Sequence, residues 1–375
     1  MKIIRIELNH ISVPLEKAYK LAKHYGTVTH ADAIIAKVFT DQGIIGLGEA
    51  DPLSPFTIET PDSVMTAIRD EIAPQILGQD PTQIDSVESQ LDTSISGNLM
   101  ARGAVNMALF DITGKYHNKP AHHFLGELRQ KKIPLFIGMG CGTPDEDSVN
   151  IRELIAQQYY GIMIKMGAFS IPEEIERMIS AKKQFGDKVV LLVDANQGWS
   201  EAETLQFLEG IKDFPPDMIE QPIKRGDADA LKRIRDQSEI PICADEGVAS
   251  FEDAKELIHA RAVDAFSIKV SKNGGISKSK VITDLSQKND VKCLMNSMLE
   301  FGISQAASLH LACTLPNLID TGHAYGSTLR MGDRVTDFSN NIAKSIVTVP
   351  DAPGLGVALI AEKLEKYTQN VVTIY

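Results

Sequence analysis

"KVVLLVDANQGWSEAETLQFLEGIKDFPPDMIEQP" (188–222) decides the fold. Its first apolar run, VVLLV, ends in Asp194. Ser200 then fits the N-cap of an amphipathic stretch. A second apolar run follows and ends in Glu220. Continuously apolar strands alternating with helices mark a parallel sheet covered by helices.

The same texture extends in both directions from about Lys131. "IPLFIGMG", "GIMIKMG", "IPICADEG", "AFSIKVSKNGG", "KCLMNSM" and "NLIDTGH" bring the strand-like segments to eight. Stretches such as "SIPEEIERMISAKKQF" and "SFEDAKELIHAR" read as the helices between them. Lys165, Asp194, Glu220, Asp245, Lys269, Asn296 and Asp320 each close an apolar run, at successive intervals of 29, 26, 25, 24, 27 and 24 residues. A β/α unit of a barrel takes about 30 residues, and barrel strands converge with their C-terminal ends at one mouth, where active sites are built. The expected fold is therefore α/β, a TIM-type barrel. An open doubly wound sheet is the alternative. It needs a Gly-rich phosphate loop, and the only candidate, "GIIGLGEA" (43–50), lacks the GxGxxG spacing.

Upstream, "IIRIELNHISVP" and "DAIIAKVFTDQGIIGLGEA" alternate like strands, with "TDQG" as a hairpin turn. Helical patterns follow from about Pro61 to Leu125. Strands followed by helices suggest an α+β domain. Asp and Glu number 50 against 38 Lys and Arg, a balance that argues against nucleic acid or an anionic membrane as partner. The four cysteines form no CxxC and read as reduced core thiols of a cytoplasmic protein. The N-terminus shows no signal-peptide pattern, and no apolar run reaches the ~18 residues of a membrane span.

Asp194, Glu220 and Asp245 end three consecutive strands. Neighbouring strands lie ~4.8 Å apart, so three carboxylates crowd one small volume. They cannot all stay ionised without a counter-cation, and an all-oxygen set favours Mg²⁺ over Zn²⁺. The alternative is that each acid caps a helix or pairs with a surface base. Lys165 precedes this set by one strand and Lys269 follows it by one. Burial lowers a lysine's pKa, so either amine is a candidate base for an α-proton, with the ion stabilising the enolate of a bound carboxylate. The alternative for the lysines is plain salt bridging to the acids.

"VDANQGW" (193–199), "IEQP" (219–222), "ADEG" (244–247), "IKVSKNGG" (268–275), "SMLEFGI" (297–303) and the helix at 101–127 together resemble the enolase superfamily. The similar branch contains muconate-lactonising enzymes, o-succinylbenzoate synthases, N-acylamino acid racemases and dipeptide epimerases. The resemblance implies a modified (β/α)₇β barrel spanning about 129–345, an α+β capping domain at 1–128, and a C-terminal segment, 346–375, that returns to the cap. It implies Asp194, Glu220 and Asp245 as Mg²⁺ ligands, with Lys165 and Lys269 as the acid/base pair. The expected activity is racemisation or epimerisation of a small carboxylate such as an N-acyl amino acid or dipeptide. A lyase or cycloisomerase sharing the enolate step is the alternative. A homo-oligomer is expected.

Two positions depart from the family pattern. The usual Lys-x-Lys at the second strand reads Met163-x-Lys165, which supplies desolvation but no second charge. The Asp-x-Asp with which dipeptide epimerases hold the substrate ammonium is replaced by Asp320 and Gly322. Asp320 and His323 are the remaining candidates for a polar substrate end. Asn196 is a candidate to orient a metal ligand, Glu246 to pair with Lys269, and Glu300 to reach a substrate carboxylate through water. Two cap segments, 15–26 and 51–60, are expected to carry substrate choice.

Overall fold

The computed structural model describes all 375 residues. The first three strands, β1 (Ile3–Lys20), β2 (Thr27–Thr40) and β3 (Ile45–Ala50), pair antiparallel. The hairpin between β2 and β3 turns at Thr40–Gly43, where Gly43 takes φ +77°. Helix α1 (Leu99–His117) lies against β3, and every residue from Met100 to Gly114 is buried. Two glycines make that approach possible. A Cβ on Gly48 would stand 1.7 Å from the Ala104 carbonyl oxygen, and one on Gly46 2.3 Å from that of Ala108.

Seven parallel strands follow in consecutive order: β4 (Phe136–Met139), β5 (Gly161–Lys165), β6 (Val190–Asp194), β7 (Met218–Glu220), β8 (Ile242–Ala244), β9 (Ala265–Ile268) and β10 (Lys292–Met295). Helices separate them, and Thr143, Ser200 and Ser250 start three of these with capping boxes. The eighth expected strand is not a regular one. Residues 317–324 instead bridge β10 and β4 at separate points. Ile319 N donates to the Cys293 carbonyl at 3.1 Å and Ala324 N to that of Met295 at 2.9 Å, while Phe136 N donates to the His323 carbonyl at 3.0 Å. Between these contacts the chain bulges at Asp320, which is exposed, and returns at Gly322, which is buried and takes φ +99°. The barrel is closed, but by an interrupted segment.

Phe136, Met163, Leu192, Met218, Cys243, Ala265 and Leu294, one from each strand, form a separate apolar layer inside the barrel. Side chains two residues apart on a strand share a face. The layer above it is therefore Gly138, Lys165, Asp194, Glu220, Asp245, Ser267 and Asn296. The site is this second layer, resting on the first.

The last strand, β11 (Thr368–Ile374), pairs antiparallel with β1. A second junction between cap and barrel is polar. Glu49, in β3, accepts the Phe301 and Ile303 amides at 2.8 and 2.9 Å, at the start of helix α2 (Ile303–Ala312).

Candidate active site

Strand register places the acids side by side: Lys165 is opposite Asp194, and Asp194 opposite Glu220. Asp194, Glu220 and Asp245 are fully buried, and their ligand oxygens lie within 4.8 Å of one another. Lys165 Nζ donates to Asp194. Lys269 Nζ donates to Asp245 at 2.5 Å, so the two amines bracket the triad from opposite ends. Lys269 lies one layer above the acids, two residues past Ser267 on its strand. A third lysine, Lys272, reaches the other Asp245 oxygen at 2.9 Å. Asn296 Nδ2 donates to Glu220 Oε1 at 2.7 Å, leaving Oε2 buried with no partner.

That orphaned oxygen, aimed among three buried carboxylates, fits a divalent cation. Burial, then the Asp194 and Asp245 charges, push the Glu220 carboxyl well above its ordinary range. Asp245 is held below its range, because Lys269 and Lys272 outweigh burial. The lysines overturn one expectation from sequence. Burial does act to lower Lys165, but Asp194, Tyr19 and Glu220 outweigh it and its pKa is raised. Lys269 is raised in the same way, with Asp245 as the leading opposing charge. In this state both amines are ammonium ions paired to the acids.

A cavity of about 70 Å³ opens above the lysines. Lys165, Lys269, Asn196 and Asn296 line it, with Met163 among its walls. Both cap segments close over it. Tyr19 and Leu21 come from the first, Leu53 and Phe56 from the second. The Phe56 ring faces Lys269 Nζ at 4.4 Å and packs tilted against Tyr25, with ring centroids 5.3 Å apart. Gln197 Nε2 donates to the Tyr25 hydroxyl at 2.6 Å, and that hydroxyl donates to Glu246 at 3.3 Å.

The remaining candidates divide. Asn196 donates from its side chain to Glu246 at 3.3 Å and from its backbone to Asp194 Oδ1 at 2.8 Å. Glu246 therefore bonds Tyr25 and Asn196, and no Lys269 bond to it is present. Burial, reinforced by Asp245 and Asp194, pushes it up to about 8. Glu300 is buried beneath the loop 296–299, bonded to Ser297 and to the Met298 amide, and does not line the cavity. Two more candidates fall outside the cavity. Asp320 is exposed on the outward bulge. His323 is buried, accepts the Met295 amide at Nδ1, and is pushed down to about 3 by burial, which makes it a neutral structural group. At the cavity this segment presents Ala324 and Gly326.

Sequence reasoning missed several participants. Lys272 carried a signal, the spacing of three from Lys269 in "IKVSKNGG". Gln221, whose Oε1 accepts the Asp245 and Gly247 amides at 2.8 and 3.0 Å, sits inside "IEQP". Arg177 is fully buried, paired with Asp147 and Glu174, and donates to the Lys165 carbonyl at 3.1 Å. Glu174 in turn accepts the amides of Gly167, Ala168 and Phe169. Arg330, at the cavity wall, follows the last barrel segment and had no strand to announce it.

A barrel that gathers three buried carboxylates at its strand ends, between two lysines and under a separate cap, defines the class of enolase-like barrels. Residues 5–126 match the N-terminal domain of the mandelate racemase / muconate lactonizing enzyme family, and residues 147–363 match its enolase C-terminal domain-like partner. The chain belongs to this family of the enolase superfamily. It is similar to the L-Ala-D/L-Glu epimerase of Bacillus subtilis (strain 168), 31% identical over 95% of this chain and 97% of that one. It is 29% identical to the chloromuconate cycloisomerase CbnB of Cupriavidus necator, over 98% and 100% of the two chains. The crystal structure of N-succinyl Arg/Lys racemase from Bacillus cereus ATCC 14579 superposes with a TM-score of 0.96 at 27% identity, covering 100% of both chains.

Proposed function

We propose that the protein is a Mg²⁺-dependent racemase or epimerase acting on the α-carbon of a small carboxylate, an N-acyl amino acid, dipeptide or related amino acid. The observation that carries this reading is the pair of buried lysines at opposite ends of one carboxylate triad, both lining one cavity. Asp194, Glu220 and Asp245 would hold the ion, which when bound supplies Lewis-acid stabilisation of charge on the substrate carboxylate. With their carboxylates engaged in holding the ion, Asp194 and Asp245 would counter the Lys165 and Lys269 charges less, so either amine could give up its proton. Lys165 Nζ then faces one side of the α-carbon and Lys269 Nζ the other. One removes the proton while the other, still an ammonium, returns a proton to the opposite face. Phe56, Tyr25 and the two cap segments exclude water over Lys269. Gln221 and Lys272 keep the Asp245 carboxylate in place. We place the protein in the cytoplasm as a homo-oligomer, on the strength of four free buried cysteines for the first and of family resemblance alone for the second.

The test is α-hydrogen exchange in D₂O. A racemase exchanges both enantiomers of its substrate. Lys165→Ala should lose exchange on one enantiomer and Lys269→Ala on the other, each by roughly 10²–10⁴-fold. A wild-type enzyme that exchanges only one enantiomer defeats this reading and leaves a lyase or cycloisomerase on the same site.

A further inference from the structure

We propose that Arg330 is the recognition point for a second anionic group on the substrate, distal to the α-carboxylate. The acceptable class is then a dicarboxylate: an N-acyl amino acid or dipeptide with a second carboxylate on its acyl tail or its side chain. This rests on the function proposed above and deepens it.

The polar layer of the barrel has one gap. Six strands place a polar side chain in that layer, and β4 places Gly138. The Arg330 guanidinium occupies the space this leaves, with Nη2 donating to the Gly138 carbonyl. A Cβ on Gly138 would lie 2.9 Å from the Tyr19 hydroxyl and 3.2 Å from Arg330 Nη2, so a larger residue would push these groups from their present places. Tyr19 stacks under the guanidinium with 4.2 Å from Cζ to the ring centroid. One carbonyl and one aromatic face hold the group in position without neutralising it. No carboxylate lies within 4.0 Å of it, and no acid lines the inner cavity wall on which it opens. An oriented guanidinium with free donors and no counter-charge matches the bidentate geometry of a carboxylate.

Distance separates this group from the reacting end. Gly138 pairs with Met163 on β5, and β6 carries Asp194, so the guanidinium stands two strands, roughly 10 Å along the sheet, from the triad. It therefore meets a different part of the substrate from the carboxylate at the metal. Size agrees. The inner cavity is about 70 Å³, while a groove of about 650 Å³ adjoins it and shares Tyr19, Ile137, Gly138 and Arg330 with it. The reacting end goes inside and the second carboxylate stops at Arg330, because the groove beyond carries Asp145, Glu146 and Glu153. Beside β4, Ala324 and Gly326 offer no carboxylate to a cationic amine.

The experiment compares matched pairs on the Mg²⁺-loaded enzyme: N-succinyl- with N-acetyl-L-phenylalanine, and L-Ala-L-Glu with L-Ala-L-Gln. Both α-deuterium exchange and calorimetric dissociation constants are read. The expected result is a preference of about 10- to 100-fold for the anionic member of one pair, the range of a charge-assisted hydrogen bond. The pair that shows it tells whether the second carboxylate is on the acyl tail or the side chain. In Arg330→Gln that ratio should collapse toward one, and Arg330→Lys should retain part of it. Equal or absent binding of both members in each pair, or a ratio unchanged in Arg330→Gln, overturns the role of Arg330. Exchange without a preference removes this inference and leaves the racemase. A binding preference without exchange on any carboxylate removes the racemase and leaves Arg330.

Discussion

At the scale of single residues, the site rests on charges that balance only together. Glu220 has one oxygen bonded and one orphaned, with two further carboxylates beside it. A divalent ion that binds only the folded chain should raise its stability, by about 2.7 kcal/mol at a hundredfold excess over Kd. EDTA should therefore lower Tm and abolish exchange, and Mg²⁺ should restore both. Asp245→Asn should lose this response, since a neutral ligand replaces a charged one. A wild-type Tm indifferent to EDTA and Mg²⁺ would falsify the metal site. Met163 poses a separate question, because it lines the cavity and also belongs to the seven-residue apolar layer, at 1% exposure. Met163→Lys should cost roughly 2 kcal/mol or more in urea unfolding, as a charge enters an apolar layer. Met163→Leu, which conserves volume, should cost less than about 1.5 kcal/mol. Equal midpoints for the two variants would show that position 163 opens to solvent. The acids and two lysines were legible in the sequence because each ends an apolar run. Arg330 and Tyr19 were not, because they meet only through tertiary packing across Gly138.

At the scale of elements, alternation and apolar runs reveal strands but not their interruptions. The segment "NLIDTGH" reads as a strand because its apolar residues suit one. In the fold it makes isolated bridges, with Asp320 exposed between them and buried Gly322 at φ +99°. That bulge carries Asp320 to the surface and leaves Ala324 and Gly326 at the cavity, so equal spacing of strand ends failed at the last unit. Packing of α1 on β3 is likewise invisible in propensity, since glycines weaken a strand. Here Gly46 and Gly48 serve close approach. Gly48→Ala should force helix and strand apart and lower stability by about 1–3 kcal/mol, the range for overpacking. The urea midpoint measures it, with Gly97→Ala as a comparison at a site open in space but at φ +71°. If Gly48→Ala unfolds at the wild-type midpoint, the close contact with Ala104 is not what positions α1.

At the scale of the whole molecule, cap and barrel meet through acids as well as apolar surface, and this makes their junction sensitive to pH. Glu49 and Asp51 leave the cap to meet Glu300 beneath the loop that walls the cavity. Burial leads the upward shift of all three. Glu300 is pushed up to about 7, and Asp51, beside the Glu49 and Glu300 charges, stands well above its ordinary range. Between pH 4.5, the ordinary value for Glu300, and about 7, the folded protein holds a proton that the unfolded chain has released. The folded state thus binds more protons in that window, so stability falls as pH rises through it. Glu300→Gln imitates the protonated form and keeps the oxygen that accepts the Met298 amide. It should flatten the fall, with a difference from wild type on the order of 1–3 kcal/mol at pH 8 and little at pH 5. Urea midpoints at the two pH values measure it. A wild-type stability that rises between pH 5 and pH 7, with Glu300→Gln following in parallel, would mean that Glu300 is ionised in the folded state and that the junction is held by charge on its amide partners instead.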